Sequence, residues 1–426
     1  MKIPGTSRLP ILFVYMCAAF APGLRAADAP SADKPDPNPS STIVKEIKKV
    51  DLPAAKVYAP DGKRFAYSKL DEKNIYQIYV GKDGDDKLTC ISATQAEGGP
   101  KPERHKMQVQ WHPSGNWIFT AVERDSYKTP PILGANKDYV EGELQCGLWT
   151  NMYAVSPDGK RWVQLTDFQS EKPGTPDGFT GPAFTPDGRK AVWSQVVDGN
   201  ILVYWPFGKW ELIAADVEMV NGAPALTHPK NITPKGMNWN EPGNFAPDGE
   251  SLLLTGSTEK DAQGMDQYIL NIRTGKLTNL TNTPDVWDEH GVFSPDGKKI
   301  IWMSAYPYRK DPNSSKVLSI RTEFMMMNWD GSGLTQLTNY FVKGAPEYSE
   351  KHGIAACAVW SRDGRSAQLT TLIFPRYEFW NIEFQGPAFK TPNPEPLKNA
   401  VPVPLAPVTP PSPDKPESVP GPVPVR

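Results

Sequence analysis

Residues 293–338 read FSPDGKKIIWMSAYPYRKDPNSSKVLSIRTEFMMMNWDGSGLTQLT, and this stretch decides the fold. It opens on a tight turn, Ser294-Pro295-Asp296-Gly297. Proline fixes φ at the first corner, the aspartate side chain folds back onto nearby backbone N–H groups, and glycine takes the positive φ that other residues resist. The apolar run Ile300-Ile301-Trp302 follows without alternation, the pattern of a strand buried on both faces. Phe324 to Trp329, the turn Asp330-Gly331, and Leu334-Thr335-Gln336-Leu337-Thr338 then make a second hairpin. Two hairpins are four antiparallel strands.

The unit recurs. Its opening turn appears at Tyr58-Ala59-Pro60-Asp61-Gly62, Trp111-His112-Pro113-Ser114-Gly115, Phe184-Thr185-Pro186-Asp187-Gly188, Phe245-Ala246-Pro247-Asp248-Gly249, at Phe293, and at Trp360-Ser361-Arg362-Asp363-Gly364. Ser156-Pro157-Asp158-Gly159 belongs to the second hairpin class and opens no unit. Six starts predict an all-β chain, a six-bladed β-propeller of four-stranded antiparallel blades over residues 43–385. Ile43, Val44, Ile47 and Val50 have a strand-like pattern. They are expected to supply the outer strand of the last blade beside Phe379–Phe384, which closes the ring and removes an open edge.

The turn Ser294-Pro295-Asp296-Gly297-Lys298, the hairpin around Asn328-Trp329-Asp330-Gly331 and the closing Gln336-Leu337-Thr338 resemble the TolB-like (WD40-like PD40) propeller repeat. The resemblance spans about residues 57–384 and implies the fold; function does not follow from it. TolB joins its propeller to an N-terminal α/β domain and works in the periplasm with a peptidoglycan-associated lipoprotein. Residues 27–57 leave no room for that domain, so a Tol-system role is not implied. The same repeat caps peptidases of the prolyl oligopeptidase type, whose Gly-x-Ser-x-Gly elbow has no counterpart in this sequence.

The ends differ in composition from the body. Lys2 and Arg8, the apolar stretch from Leu9 to Ala21, and small Ala26 and Ala27 form a secretory leader pattern, with cleavage expected after Ala26 and localisation in the periplasm or outside the cell. The apolar run is too short to span a membrane. Residues 27–42 read as a flexible linker, and residues 386–426, with runs such as Val401-Pro402-Val403-Pro404, as a proline-rich disordered tail that could dock a partner. The chain of 426 residues carries 46 Lys+Arg against 48 Asp+Glu, a formal charge of −2, which speaks against a nucleic-acid-binding face. Its 45 prolines and 34 glycines suit many turns and oppose long helices. Cys90, Cys146 and Cys357 remain after the leader; the sequence does not say whether two of them pair.

Candidate site residues precede the inner strands: Glu103-Arg104-His105, Asp177-Gly178, Asn240-Glu241-Pro242, Asp288-Glu289-His290 and Glu350-Lys351-His352. Being connectors, they are expected to ring one mouth of the central channel. Imidazoles among carboxylates suit a divalent metal, with His105, His290 and His352 as its ligands. Polar residues that merely cap strand ends would give the same pattern, and the histidine spacing matches no metal motif. Two longer insertions, Glu123–Gly147 and Ala305–Ser319, decorate the same face, and Tyr306, Tyr308 and Arg309 are expected there as interface anchors.

Three functions follow as expectations. The first is an exported, non-enzymatic propeller that binds a protein or cell-envelope component through its connector face and channel mouth. The second is a metal-dependent, lyase-like carbohydrate-active enzyme with its site at that mouth; the notable precedent for this architecture is oligogalacturonate lyase, whose channel histidines hold a metal. The third is a scaffold subunit of an envelope complex, docked partly through the tail.

Overall fold

The structure is a computed structural model that describes residues 37–125, 146–169, 177–198, 208–258, 264–311, 320–351, 353–373 and 376–389. The predicted leader, most of the linker, most of the proline-rich tail, the middle of both insertions and His352 lie outside these residues.

Among the described residues, twenty-four strands form six four-stranded antiparallel sheets. Blade 1 runs from Val57 to Cys90, blade 2 from Lys106 to Gln164, blade 3 from Phe179 to Asn231, blade 4 from Met237 to Asn279, and blade 5 from Asp288 to Gln336. Blade 6 contains Gly353–Trp360, Ser366–Ile373 and Arg376–Phe384, and its fourth, outer strand is the N-terminal Val44–Val50. Val50 pairs with Phe379 and Val44 with Phe384, the expected closure. In each blade the first strand lies innermost, and first strands of neighbouring blades contact one another from blade 1 through blade 6.

The turn chemistry is as the sequence implies. Asp296 Oδ1 accepts the Ser294 hydroxyl at 2.7 Å and the Lys298 N–H at 3.0 Å, while Ser294 Oγ accepts the Lys299 N–H at 3.0 Å. Gly297 sits at φ +71°. A Cβ there would lie 2.5 Å from Cδ of Pro247, the proline of the preceding turn. The same neighbour relation joins Gly249 to Pro186, Gly188 to Pro113 and Gly115 to Pro60. The turns therefore pack proline against glycine from blade to blade. At blade 6 the ring changes partner: Gly364 faces Phe389, whose N–H donates to the Gly364 carbonyl at 3.0 Å.

The second strands are buried on both faces because each blade is sandwiched between two others. Ile300, Ile301 and Trp302 are enclosed, and Trp302 packs with Leu253, Phe293, Met325 and Met327 in the layer between blades 4 and 5. The Met325–Met327 run is core, as its strand position suggests.

Two boundaries move. Asn38, placed in the linker by composition, accepts the Gln336 N–H and donates its own to Leu334, fastening the entry to blade 5. Phe389, placed in the tail, packs edge-on against Trp360 and Phe384. Composition averages over a window and misses single anchoring residues at its edge. Cys90, Cys146 and Cys357 are free thiols.

Candidate functional site

Inner strands end in a turn on one face of the ring; on the other they begin near the channel mouth. There the regular ladder breaks. In blades 2, 3 and 5 the first strand slips register against the second at Met107/Gln110, Thr180/Ala183 and Glu289/Val292. Gln108, Gly181 and His290 occupy the breaks with positive φ, +52°, +105° and +54°. Gln108 and His290 have a Cβ, so their left-handed backbone stores strain that the surrounding sheet must hold.

Sequence reasoning placed Glu241, Asp288, Glu289 and His290 in connectors. The structure corrects this: they belong to the innermost strands Met237–Phe245 and Asp288–Phe293. Their side chains then part ways. Asp288 is buried in its blade, with its carboxylate accepting Thr283 Oγ1–H at 2.7 Å and Trp302 Nε1–H at 2.8 Å. Glu289 is also enclosed, its side chain 2% exposed, whereas His290 and Glu241 keep 24% and 21% exposed. Glu241 Oε2 lies 3.5 Å and Glu289 Oε1 3.9 Å from His290 Nε2, and the three atoms fall within 4.8 Å of one another. Neither carboxylate oxygen has a hydrogen-bond partner, although both are buried.

The groups behind this cluster are anchored. Glu289 Oε2 accepts Trp287 Nε1–H at 2.9 Å. His290 Nδ1 faces the Ala356 carbonyl at 3.1 Å; a carbonyl only accepts, so Nδ1 carries the proton and Nε2 is turned to the carboxylates. The His290 N–H donates to Thr255 Oγ1 at 3.1 Å. Electrostatics follow from crowding. Desolvation, with the Glu289 charge adding to it and His290 opposing it, pushes Glu241 up to about 7. Desolvation works against a charged His290, but Cys357, Glu289 and Glu241 outweigh it and hold the imidazole well above its ordinary value. Cys357 is the contribution that sequence reading missed. It stands at the register break of blade 6, next to the Ala356 carbonyl that holds His290, and aligning the six inner strands on their turns would have found it.

The remaining candidates lie elsewhere. His105 does not join His290: its Nδ1 accepts the Tyr76 N–H at 3.2 Å, its own N–H donates to Glu123 Oε2, and its ring tilts against Tyr76. His352 lies outside the described residues. The expected three-histidine set is thus replaced, among the described residues, by one histidine and two glutamates. Glu103 is exposed in its connector. Asp177 receives the buried Arg124 guanidinium, which also donates to the Phe168 carbonyl and lies over Trp149. Tyr306 is only 5% exposed and lies in the core instead of projecting. Tyr308 donates to the buried Glu323 and packs edge-on against Phe341, and the Arg309 guanidinium lies over the Tyr306 ring. These three fasten the root of the insertion. Its outer part, 312–319, lies outside the described residues, as does 126–145 of the other.

No known family's sequence profile matches the chain, and no characterised protein matches it in sequence. Solved structures do resemble it. TolB from Acinetobacter baumannii is 14% identical with a TM-score of 0.44, over 76% of this chain and 65% of that one. A putative TolB from Agrobacterium tumefaciens is 14% identical with a TM-score of 0.47, over 78% of this chain and 90% of that one. An oligogalacturonate lyase in complex with manganese is 10% identical with a TM-score of 0.44, over 77% of this chain and 88% of that one. These are likenesses of propeller architecture, and no site residue passes across at such identities.

Proposed function

We propose that the chain is an exported binding propeller that takes its ligand, a protein or another cell-envelope component, at the channel mouth formed by blades 4, 5 and 6. One observation carries the reading. Two buried carboxylate oxygens without partners converge on an imidazole whose backbone is strained. Buried polar groups are ordinarily satisfied, and each that is not costs about 1–3 kcal/mol, so an unsatisfied cluster on a wet channel wall suits a ligand that completes it. The leader pattern of residues 1–26 supports export, and among the described residues no helix is long and apolar enough to cross a membrane.

A photo-crosslinking residue at Cys357, compared with one at Lys63 on the turn face, tests this in the producing cells. A discrete adduct from the mouth position, lost when Glu241 and Glu289 are both changed to Gln, is the expected result. Adducts from the turn face alone, or none from the mouth, overturn it. Fractionation of the same cells tests export.

One feature favours catalysis on a carbohydrate at the same mouth. Glu241, pushed to about 7, is in the range of a general base at neutral pH. Turnover of an acidic polysaccharide that Glu241→Gln abolishes would establish that second reading.

A further inference from the structure

We infer that Glu241, Glu289 and His290 form a site for one divalent first-row transition ion, zinc or manganese, with an open coordination position toward the channel. The inference rests on reading this cluster as ligand-facing and names what it binds first.

Four observations support it. The donor atoms are of the right kind: two carboxylate oxygens and an imidazole nitrogen, a mixed set that suits zinc or manganese better than calcium or magnesium, which prefer oxygen alone. They are gathered for an ion. Donors about 2.1 Å from a tetrahedral centre stand roughly 3.4 Å apart; the separations from His290 Nε2 are 3.5 and 3.9 Å and all three donors fall within 4.8 Å, so closure draws the two carboxylates inward. The two carboxylate donors are free, because Glu289, though enclosed, leaves Oε1 without a hydrogen bond and aimed into the cluster, and Glu241 Oε2 is likewise unpartnered. Finally, the far atom of two donors is fixed. His290 gives its Nδ1–H to the Ala356 carbonyl, and Glu289 Oε2 is held by the Trp287 indole N–H. Ligating histidines and carboxylates are oriented by such outer hydrogen bonds. A plain ion pair between His290 and a carboxylate needs neither the second carboxylate nor separations beyond hydrogen-bond length.

The arrangement leaves room for an exogenous ligand. Three protein donors fill three positions, and the partial exposure of His290 and Glu241 opens the next one to the channel. A carboxylate or hydroxyl of a peptide or sugar in the channel could occupy it.

The test is calorimetric titration of the chelator-stripped full chain with zinc chloride and, separately, manganese chloride. One ion per chain is expected, with affinity lowered at least about tenfold by Glu241→Gln and by Glu289→Gln, and unchanged by His105→Ala. Glu241 is partly exposed, so its variant keeps the test decisive if Glu289→Gln does not fold. Absence of saturable binding to the wild type, or binding that both glutamine variants keep, overturns the metal site. Crosslinking from the mouth that persists in stripped protein would then leave the binding reading standing without it. Binding of the ion with no crosslink from the mouth would do the reverse.

Discussion

The two faces of the ring treat acidic side chains in opposite ways. On the turn face, aspartates are held ionised. Desolvation works against Asp61, but the Arg64 and Lys63 N–H groups and the Arg64 guanidinium bring it down to about 2. Asp248 is lowered against its own desolvation by Ser251 and the Glu250 N–H, and Asp158 and Asp330 by the neighbouring Ser156 and Ser332. On the mouth face, enclosed acids are pushed toward protonation, chiefly by desolvation: Glu241 to about 7, Asp288 to about 6 with Asp266 adding to the effect, and Glu323 to about 7, whereas the exposed Asp125 is lowered by Lys101 and Arg104. The turn aspartates satisfy the backbone that surrounds them. The mouth acids sit where the backbone is already paired or broken. Charges that serve the fold recur from blade to blade, the turn aspartate in five of the six opening turns, whereas the mouth acids follow no such repeat.

The largest effect should come from breaking the turn face. Gly297→Ala forces a side chain into positive φ and against Pro247, 2.5 Å from the new methyl. Strain and overpacking together should lower stability by about 2–4 kcal/mol, measured by urea unfolding. Gly249→Ala has the same φ but 3.6 Å to Pro186, so it should lose only the strain, about 1 kcal/mol. Equal losses would mean that the inter-turn contact does not matter. Metal binding at the mouth should be unchanged in both.

The second effect sharpens the contrast by pH. A carboxyl whose folded pKa lies above its unfolded value holds its proton more tightly when folded. Its contribution is present below the unfolded value and lost as pH rises through the folded one. For Glu323 that window runs from 4.5 to about 7. Asp61 on the turn face has the opposite sign: its contribution is present above 3.8 and lost as pH falls toward about 2. Stability should therefore peak in mildly acidic solution and decline toward pH 8, by up to about 1.4 kcal/mol per pH unit for each such group. Glu323→Gln, compared with wild type by urea midpoints at pH 5 and pH 8, should flatten that decline. An unchanged slope would show that Glu323 ionises freely.

How much of this the sequence disclosed follows the same division. Pro, Asp and Gly in the turns act locally, within four residues, and so the blade count and the closure by Val44–Val50 could be read directly. The mouth is built by register. A break of one residue at His290, which no local pattern encodes, decides where the imidazole points. Asp288 and Glu289 precede that break and take opposite faces by ordinary strand alternation. His105 and His290 stand beside similar acidic residues in sequence, but counted back from the turns His290 corresponds to Gln108, while His105 lies three residues earlier and caps Tyr76. Tyr306 and Tyr308 were expected outside because insertions are usually solvated, whereas the root of this one is held by Glu323 and the core.

A smaller effect tests a place where the turn ring changes partner, the Gly364 turn of blade 6. Phe389→Ala removes the ring contacts with Trp360 and Phe384, while the backbone of residue 389 that faces Gly364 stays. A loss of about 1–2 kcal/mol is expected for a half-buried ring. A truncation after Phe389 should keep wild-type stability if the tail is as solvated as its composition indicates. If the truncation costs as much as the substitution, the tail beyond Phe389 contributes to the fold.

The smallest effect on stability should come from the mouth, and its sign carries the argument. Glu241→Gln keeps the shape and removes a buried charge whose Oε2 has no hydrogen-bond partner. At neutral pH the variant should be as stable as wild type or more so, by up to about 1 kcal/mol, because the cost of burying that oxygen disappears. The same variant should lose ion binding. A residue that improves the fold when removed and disables the site when removed is retained for the site. If Glu241→Gln instead destabilises by 2 kcal/mol or more, on the scale of a broken buried ion pair, then Glu241 and His290 hold blades 4 and 5 together, and the mouth is as structural as the turns.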